Sequence, residues 1–246
     1  SAAVASAVND WLTEEFLDRD PRLRASLLVS PYDSEAAVAE IERRAGDRRF
    51  VQVLLPVRGD GLYGNRRYHP ILEAVARHDL TLGLHAWGSP AHAPTPTGYT
   101  STYLQDYVSN AQLAQTQVLS LVSEGVFARV PQLKVALLES GFSWLPALLW
   151  RFDKDWKSVW REVPWVKEKP SEYVKRHFRA TTQPAHLPSD RRQVAELMEM
   201  VGSERLLYAS DHPHHHGPGA EPLFEVLDGS ATEAVLGGNA EAFYRL

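Results

Sequence analysis

Six short runs recur along the chain at Leu23–Val29, Phe50–Leu55, Leu80–Leu84, Leu133–Leu138, His177–Thr182 and Leu206–Ser210. Most are apolar almost without interruption. Such runs predict strands covered on both faces, as in a parallel sheet, where alternation is lost. Between them the apolar residues fall at helical spacing. Residues 1–18 place Val4, Val8, Trp11, Leu12 and Leu17 near one face, with Glu14, Glu15 and Asp18 elsewhere. Ser34 is the expected N-cap of a helix to about Ala45, with Ala37, Val38 and Ile41 turned inward. Pro70 opens a helix through Leu72 and Val75 that closes near His78-Asp79. Further helices are predicted over Leu104–Phe127, 142–161, Ser171–Lys175, Asp190–Val201, Pro222–Leu227 and Ala231–Tyr244. Pro146 could interrupt the one at 142–161.

Strands that alternate with helices imply an α/β fold on a parallel sheet. No linker or shift in composition divides residues 1–246, so a single domain is expected. A doubly wound sheet and a closed barrel both satisfy the pattern. Four of the six strands end in a polar residue able to act in a site: His85, Glu139, Gln183 and Asp211. A barrel gathers its strand ends around one mouth, whereas an open sheet spreads them, so convergence favours the barrel.

Composition narrows the partners. Net charge is −5 over 246 residues, which gives no electrostatic case for nucleic acid or an anionic membrane. There is no cysteine, so disulfides, thiolate metal sites and cysteine nucleophiles are excluded. No apolar run approaches a transmembrane span, and the N-terminus lacks a signal-like pattern, so a cytoplasmic protein acting on a small molecule is expected. There is no dinucleotide fingerprint, P-loop or nucleophile elbow.

The candidate chemistry lies at the strand ends. The stretch 206–217, LLYASDHPHHHG, runs from apolar residues into Asp211, and Pro213 must end the strand. Asp211 and His85 are the donor types a divalent metal takes, and such an ion polarises carbonyls or acidifies bound water. Glu139 ends an aliphatic strand, where a carboxylate is costly unless paired, protonated or metal-bound; general acid–base work and a salt bridge to Arg151 are both open. His214, within the His-rich 212–216, lies close to Asp211 in sequence. Trp87 is the second residue of a long Pro-, Gly- and Thr-rich segment, AWGSPAHAPTPTGYTSTY, of the kind that forms lids. The aromatic load of Trp144, Trp150, Phe152, Trp156 and Trp160 reads as core and interface packing.

Several stretches together resemble the amidohydrolase 2 branch of the amidohydrolase superfamily, which includes aminocarboxymuconate semialdehyde decarboxylase-like enzymes. They are FVQVLLP at 50–56, LHAWG at 84–88, VALLESGFSWLPALLWRFD at 135–153, FRATTQP at 178–184, YASDHPH at 208–214 and GNAEAFYRL at 238–246. The resemblance implies a (β/α)₈ TIM barrel with a mononuclear divalent metal, often zinc. His85 and Asp211 would then be metal ligands, Asp211 and Glu139 catalytic, and Trp87, His214 and Arg151 substrate-binding. Arg151 is expected to reach a neighbouring subunit's site, because the family uses an arginine here for a substrate carboxylate; a homodimer or higher homo-oligomer follows.

Two departures shape the expectation. No His-x-His follows a strand, so strands three to eight of the barrel are expected here, with the N-terminal part absent, an exposed edge on the first strand and weak zinc binding. Glu139-Ser140 stands where decarboxylases of the family carry His-Gly. The leading expectation is therefore a metal-dependent hydrolase acting on a small carboxylated or cyclic compound. A metal-dependent decarboxylase (carbon–carbon lyase) is the alternative, and a non-catalytic binding or assembly subunit the rival from another class.

Overall fold

The structure, a computed structural model, describes residues 1–214 and 219–246. Six strands, β1 (Ala25–Leu28), β2 (Phe50–Arg58), β3 (Thr81–Gly88), β4 (Lys134–Leu138), β5 (Phe178–Thr181) and β6 (Leu206–Leu207), form one sheet. They pair in chain order and every pair is parallel. A doubly wound sheet reverses its strand order partway, whereas a barrel adds each strand beside the last. The observed order is the barrel's, and the fold is α/β of the TIM-barrel type.

The helices are α1 (Ala2–Leu12), α2 (Ser34–Arg44), α3 (His69–Arg77), α4 (Tyr103–Ser123), α5 (Val126–Arg129), α6 (Leu145–Val159), α7 (Pro170–His177), α8 (Arg191–Val201), α9 (Glu221–Phe224), α10 (Gly229–Glu233) and α11 (Asn239–Tyr244). Local chemistry sets their starts. Thr102 and Gln105 form a reciprocal capping box on α4, and the Asp190 side chain accepts from two amides of α8. The Asp33 carboxylate, and not Ser34, caps α2. Pro146 lies in the first turn of α6, where a missing N–H costs nothing, so it opens the helix and does not interrupt it. The expected helix Leu104–Phe127 breaks in two at Gly125, whose φ of +78° no helix tolerates.

Side chains alternate across the sheet. Val135 and Leu137 of β4 join the main core with Leu82, Leu84, Leu121 and Val194 beneath the helices. Ala136 and Leu138 face the other way and pack with Leu207, Phe243 and Tyr244. Helix α11 thus covers the inner face near the strands' N-terminal ends. Lys134 Nζ donates to the Phe243 carbonyl at 2.7 Å, and Tyr244 Oη donates to Gln52 Oε1 at 3.0 Å. With that end filled, the inner face stays open at the carboxyl ends of the strands.

Several expectations about the sheet change. β2 continues through Pro56 to Arg58 and β3 through His85 to Gly88, since the two strands go on pairing past the expected ends. β6 holds two residues and stops short of Ser210, because the next amides are taken by other groups: Tyr208 N–H by the Val235 carbonyl, and Ala209 N–H by Thr182 Oγ1 at 3.0 Å. The edge of β1 is closed at Leu28. The fully buried Asn9 of α1 donates from Nδ2 to the Leu28 carbonyl, and its Oδ1 accepts the Leu28 N–H, each at 2.9 Å. A side-chain amide stands there in place of a neighbouring strand, one way of blunting an edge.

Candidate active site

Parallel pairing sets His85 beside Leu138, so the residue after Leu138 comes next to the His85 side chain. That residue is Glu139. His85 Nε2 donates to Glu139 Oε1 at 2.9 Å, and both side chains are about one-third exposed. Glu139 is held from the far side as well: its N–H donates to Thr181 Oγ1 at 3.0 Å, at the end of β5. The Glu139 backbone lies at φ +55°, a conformation that costs a non-glycine residue about 1–2 kcal/mol. Asp211 has the same φ of +55°. Two carboxylates at strand ends thus sit in backbone that sequence alone would have assigned to glycine or asparagine.

His85 and Glu139 open into a cavity of about 330 Å³. Trp87, Tyr103, Tyr107 and Val108 supply its apolar wall, and Asp106, Asn110, Ser140 and His186 its further polar groups. The α4 wall is fixed through Arg58, nearly buried at the end of β2. Its Nη1 donates to Asp106 Oδ2 at 2.9 Å and its Nε to the His92 carbonyl. One guanidinium thereby ties the strand to both the long segment after Trp87 and the first turn of α4. Gly88 lets β3 pass close to the β2 backbone at this point, since a Cβ there would meet the Arg58 carbonyl oxygen at 2.0 Å.

The remaining expected site residues are placed differently. Asp211 lies beyond β6, and β5 separates its strand end from that of β4. Its carboxylate is 14% exposed and accepts from His214 Nδ1 at 3.1 Å. His214 lines a neighbouring cavity with Gln183, Tyr208, Ser210 and Glu221. His215 and His216, and so part of the His-rich tract, lie outside the described residues. Arg151 is 83% exposed on α6 and paired with Asp155 of its own helix, away from this chain's cavity. The structure therefore brings His85, Glu139 and Trp87 into one cavity, places His214 with Asp211 beside a second, and leaves Arg151 outside both.

Sequence reasoning missed Arg58, Asp106, Tyr107 and His186. Asp106 and Tyr107 come from α4, away from the strand ends, and Arg58 ends β2 two residues past the proline expected to stop that strand. His186 had a signal: it follows Pro184, which ends β5's extension, as closely as other site residues follow theirs.

Among the described residues, no group of three or more His, Cys, Asp or Glu side chains is placed to hold a metal ion. His85 and Asp211 have the right donor chemistry, yet each is engaged by a neighbour, Glu139 and His214. A mononuclear site takes three or four protein donors. The described residues do not by themselves complete one.

Solved structures similar to this chain share its fold throughout. A 5-carboxyvanillate decarboxylase from Sphingomonas paucimobilis is 25% identical, with 100% of this chain and 73% of that one covered and a TM-score of 0.76. A dihydroxybenzoic acid decarboxylase from Polaromonas sp. JS666, solved with bound manganese and the inhibitor 2-nitroresorcinol, is 23% identical over 100% of this chain and 76% of that one, TM-score 0.78. An amidohydrolase from Mycobacterium avium subsp. paratuberculosis K-10 is 24% identical over 99% and 63%, TM-score 0.79. No curated protein matched the chain. The family model Amidohydro_2, amidohydrolase, matches residues 1–246, and the chain belongs to that family.

Proposed function

We propose that this chain is the catalytic barrel of a decarboxylase acting on a carboxylated phenol. The observation that carries this is the whole-chain likeness, at 25% identity, to a 5-carboxyvanillate decarboxylase. Of the two reactions open from the sequence, decarboxylation has the better support, since the similar structures named for a particular substrate are decarboxylases of carboxylated phenols. The cavity suits such a substrate. Trp87, Tyr103 and Tyr107 offer ring faces, and aromatic pairs gain about 0.5–1.5 kcal/mol beyond burial.

Decarboxylation replaces the ring carbon's bond to the carboxylate with a bond to hydrogen, so that carbon must take a proton. The proton shared by His85 Nε2 and Glu139 Oε1 is the one we assign to that carbon, in the manner of general acid catalysis. His85 and Asp211 are the donors we assign towards a divalent cation, manganese or zinc. Two donors alone do not complete a metal site. Arg151 and the exposed Trp150 and Trp160 of α6 are the face we assign to contact with a second copy, where Arg151 would meet a substrate carboxylate bidentately.

Hydrolysis remains the second reading on one observation: Glu139, a carboxylate able to act as a general base, ends β4 where the family's decarboxylases carry His-Gly. The test is direct. The protein is incubated with 5-carboxyvanillate and dihydroxybenzoates, with and without Mn²⁺, while released CO₂ and the decarboxylated phenol are measured; lactones and amides run in parallel. CO₂ with matching phenol is the expected result. Hydrolysis alone would favour the second reading, and inertness towards both panels would favour a binding subunit.

A further inference from the structure

The cavity contains a second imidazole. His186, on the loop between β5 and α8, lines it together with His85, Glu139, Asp106, Tyr103 and Tyr107. Its ring rests on the backbone at the end of β4, where a Cβ on residue 141 would stand 2.6 Å from His186 Nδ1. Only glycine fits under the ring, and Gly141 also holds a φ of +66°. His186 has a φ of +27°, the sparsely populated backbone that costs on the order of 1–3 kcal/mol and collects at functional sites.

The two imidazoles differ in what they are free to do. His85 is committed to Glu139 at 2.9 Å. Among the described residues, no hydrogen bond or ion pair engages the His186 ring. Burial draws its basicity below the ordinary histidine value, and no neighbouring charge opposes this. The ring is therefore neutral at neutral pH, with a nitrogen free to accept.

We propose that His186 is a catalytic residue that accepts the proton of a substrate hydroxyl ortho to the scissile carboxylate. This rests on the decarboxylase reading. The O–H bond breaks towards the imidazole, and the phenoxide pair raises electron density at the carbon bearing the carboxylate. That carbon gains a C–H bond from the proton between His85 and Glu139. The bond to the carboxylate then breaks, its electron pair restores the aromatic ring, and CO₂ leaves. His186 returns its proton to the phenoxide, and water reprotonates the His85–Glu139 pair. One proton is consumed per CO₂ released.

The test uses H186N and H186Q against the parent, with 2-nitroresorcinol as a coloured probe whose phenolate band reports ionisation without turnover. The parent should ionise the bound probe about tenfold more readily, a shift of about one pH unit, than either variant. With a hydroxybenzoate that the parent decarboxylates, kcat should fall by about 10²–10⁴ while KM changes little, the usual span for a lost acid–base group. G141A, which displaces the ring, should move both readouts the same way. Equal ionisation in parent and variants would overturn the proposal, as would failure of the parent to bind the probe or an unchanged kcat in H186N. If the parent decarboxylates nothing but shows the His186-dependent ionisation, the decarboxylase reading falls and His186 stands as a base towards bound phenols.

Discussion

Asn9 is the residue whose removal should cost this fold most for its size. Its amide makes three hydrogen bonds with no exposure to water: Nδ2 to the Leu28 carbonyl at 2.9 Å, Nδ2 to Glu40 Oε1 at 2.7 Å, and Oδ1 from the Leu28 N–H at 2.9 Å. Two neutral bonds contribute about 1 kcal/mol each and the bond to a carboxylate about 1.5–3. Asn9→Ala should therefore lose about 4 kcal/mol. At about 2–4 °C per kcal/mol for a domain of this size, Tm should drop on the order of 10 °C. Calorimetry and urea unfolding give both quantities. Asn9→Leu separates bonding from packing, because it fills the space and leaves Leu28 and Glu40 without partners; it should be no more stable than Asn9→Ala. The carboxylate adds a pH signature. Burial pushes the Glu40 carboxyl up, but donation from Arg43, Asn9 and Ser6 outweighs it and holds the group below its ordinary value of 4.5. A depressed folded pKa contributes stability that is present above about pH 4.5 and is lost as pH falls through the folded value. The gap between parent and Asn9→Ala should therefore narrow in acid. A loss under about 1 kcal/mol in Asn9→Ala, or rescue by leucine, would refute the reasoning.

Other outcomes follow from the same structure. Glu139→Gly relieves a φ of +55°, so it should match or exceed the parent in thermal stability by up to about 1 kcal/mol while abolishing turnover, measured on one preparation by melting and CO₂ release. His177 is held below the ordinary histidine value by burial, against donation to the Leu133 carbonyl. Its unfolded form binds protons first, so stability should decline as pH falls below about 6.5, and His177→Gln should flatten that slope in acid unfolding curves. Titration of the protein with Mn²⁺ or Zn²⁺ should show binding too weak to survive gel filtration, further reduced by His85→Ala; a tight stoichiometric ion would contradict the two-donor assignment. Light scattering should find a dimer that Trp150→Glu converts to monomer, and a monomeric parent would remove the assignment of α6.

The parallel sheet was readable because burial on both faces imposes long apolar runs, and six of them survive in the sequence as six paired strands in order. Strand ends were readable only in part: Glu139 does follow the end of β4, but β2 runs on through Pro56 to Arg58 and β3 through His85 to Gly88, because parallel neighbours keep pairing past a local break signal. What the sequence could not show depends on groups that meet only through the fold. β6 is short because Thr182 and Val235 take the amides after Leu207, and no local pattern reveals a competing partner from another element. The β1 edge is closed by an asparagine inside an otherwise ordinary amphipathic helix, where Asn9 reads as a polar position facing water. Arg58 and Asp106 were hidden for the same reason: each looks like a solvated charge until the distance between them is known.

The site itself follows a consistent physical division. Where the chain needs only stability, the rules of pattern and propensity hold, as in the capping box of α4 and the proline that opens α6. Glu139, His186 and Asp211 break them, each a non-glycine residue with positive φ, a backbone shared among the described residues by Asp79 and Arg245 away from the cavity. Glu139 and His186 line one cavity and Asp211 pairs beside the next. A fold held by a margin of several kcal/mol carries about 1–3 kcal/mol of strain at such a position only where surrounding contacts over-determine it. For Glu139 those contacts are visible: Thr181 holds its amide and His85 its carboxylate. Removing either should let the backbone relax towards the ordinary β region and swing the carboxylate out of the cavity. Thr181→Val, which keeps the shape and deletes the acceptor, is the cleaner of the two changes. It should lower turnover through Glu139 while touching no residue that meets the substrate.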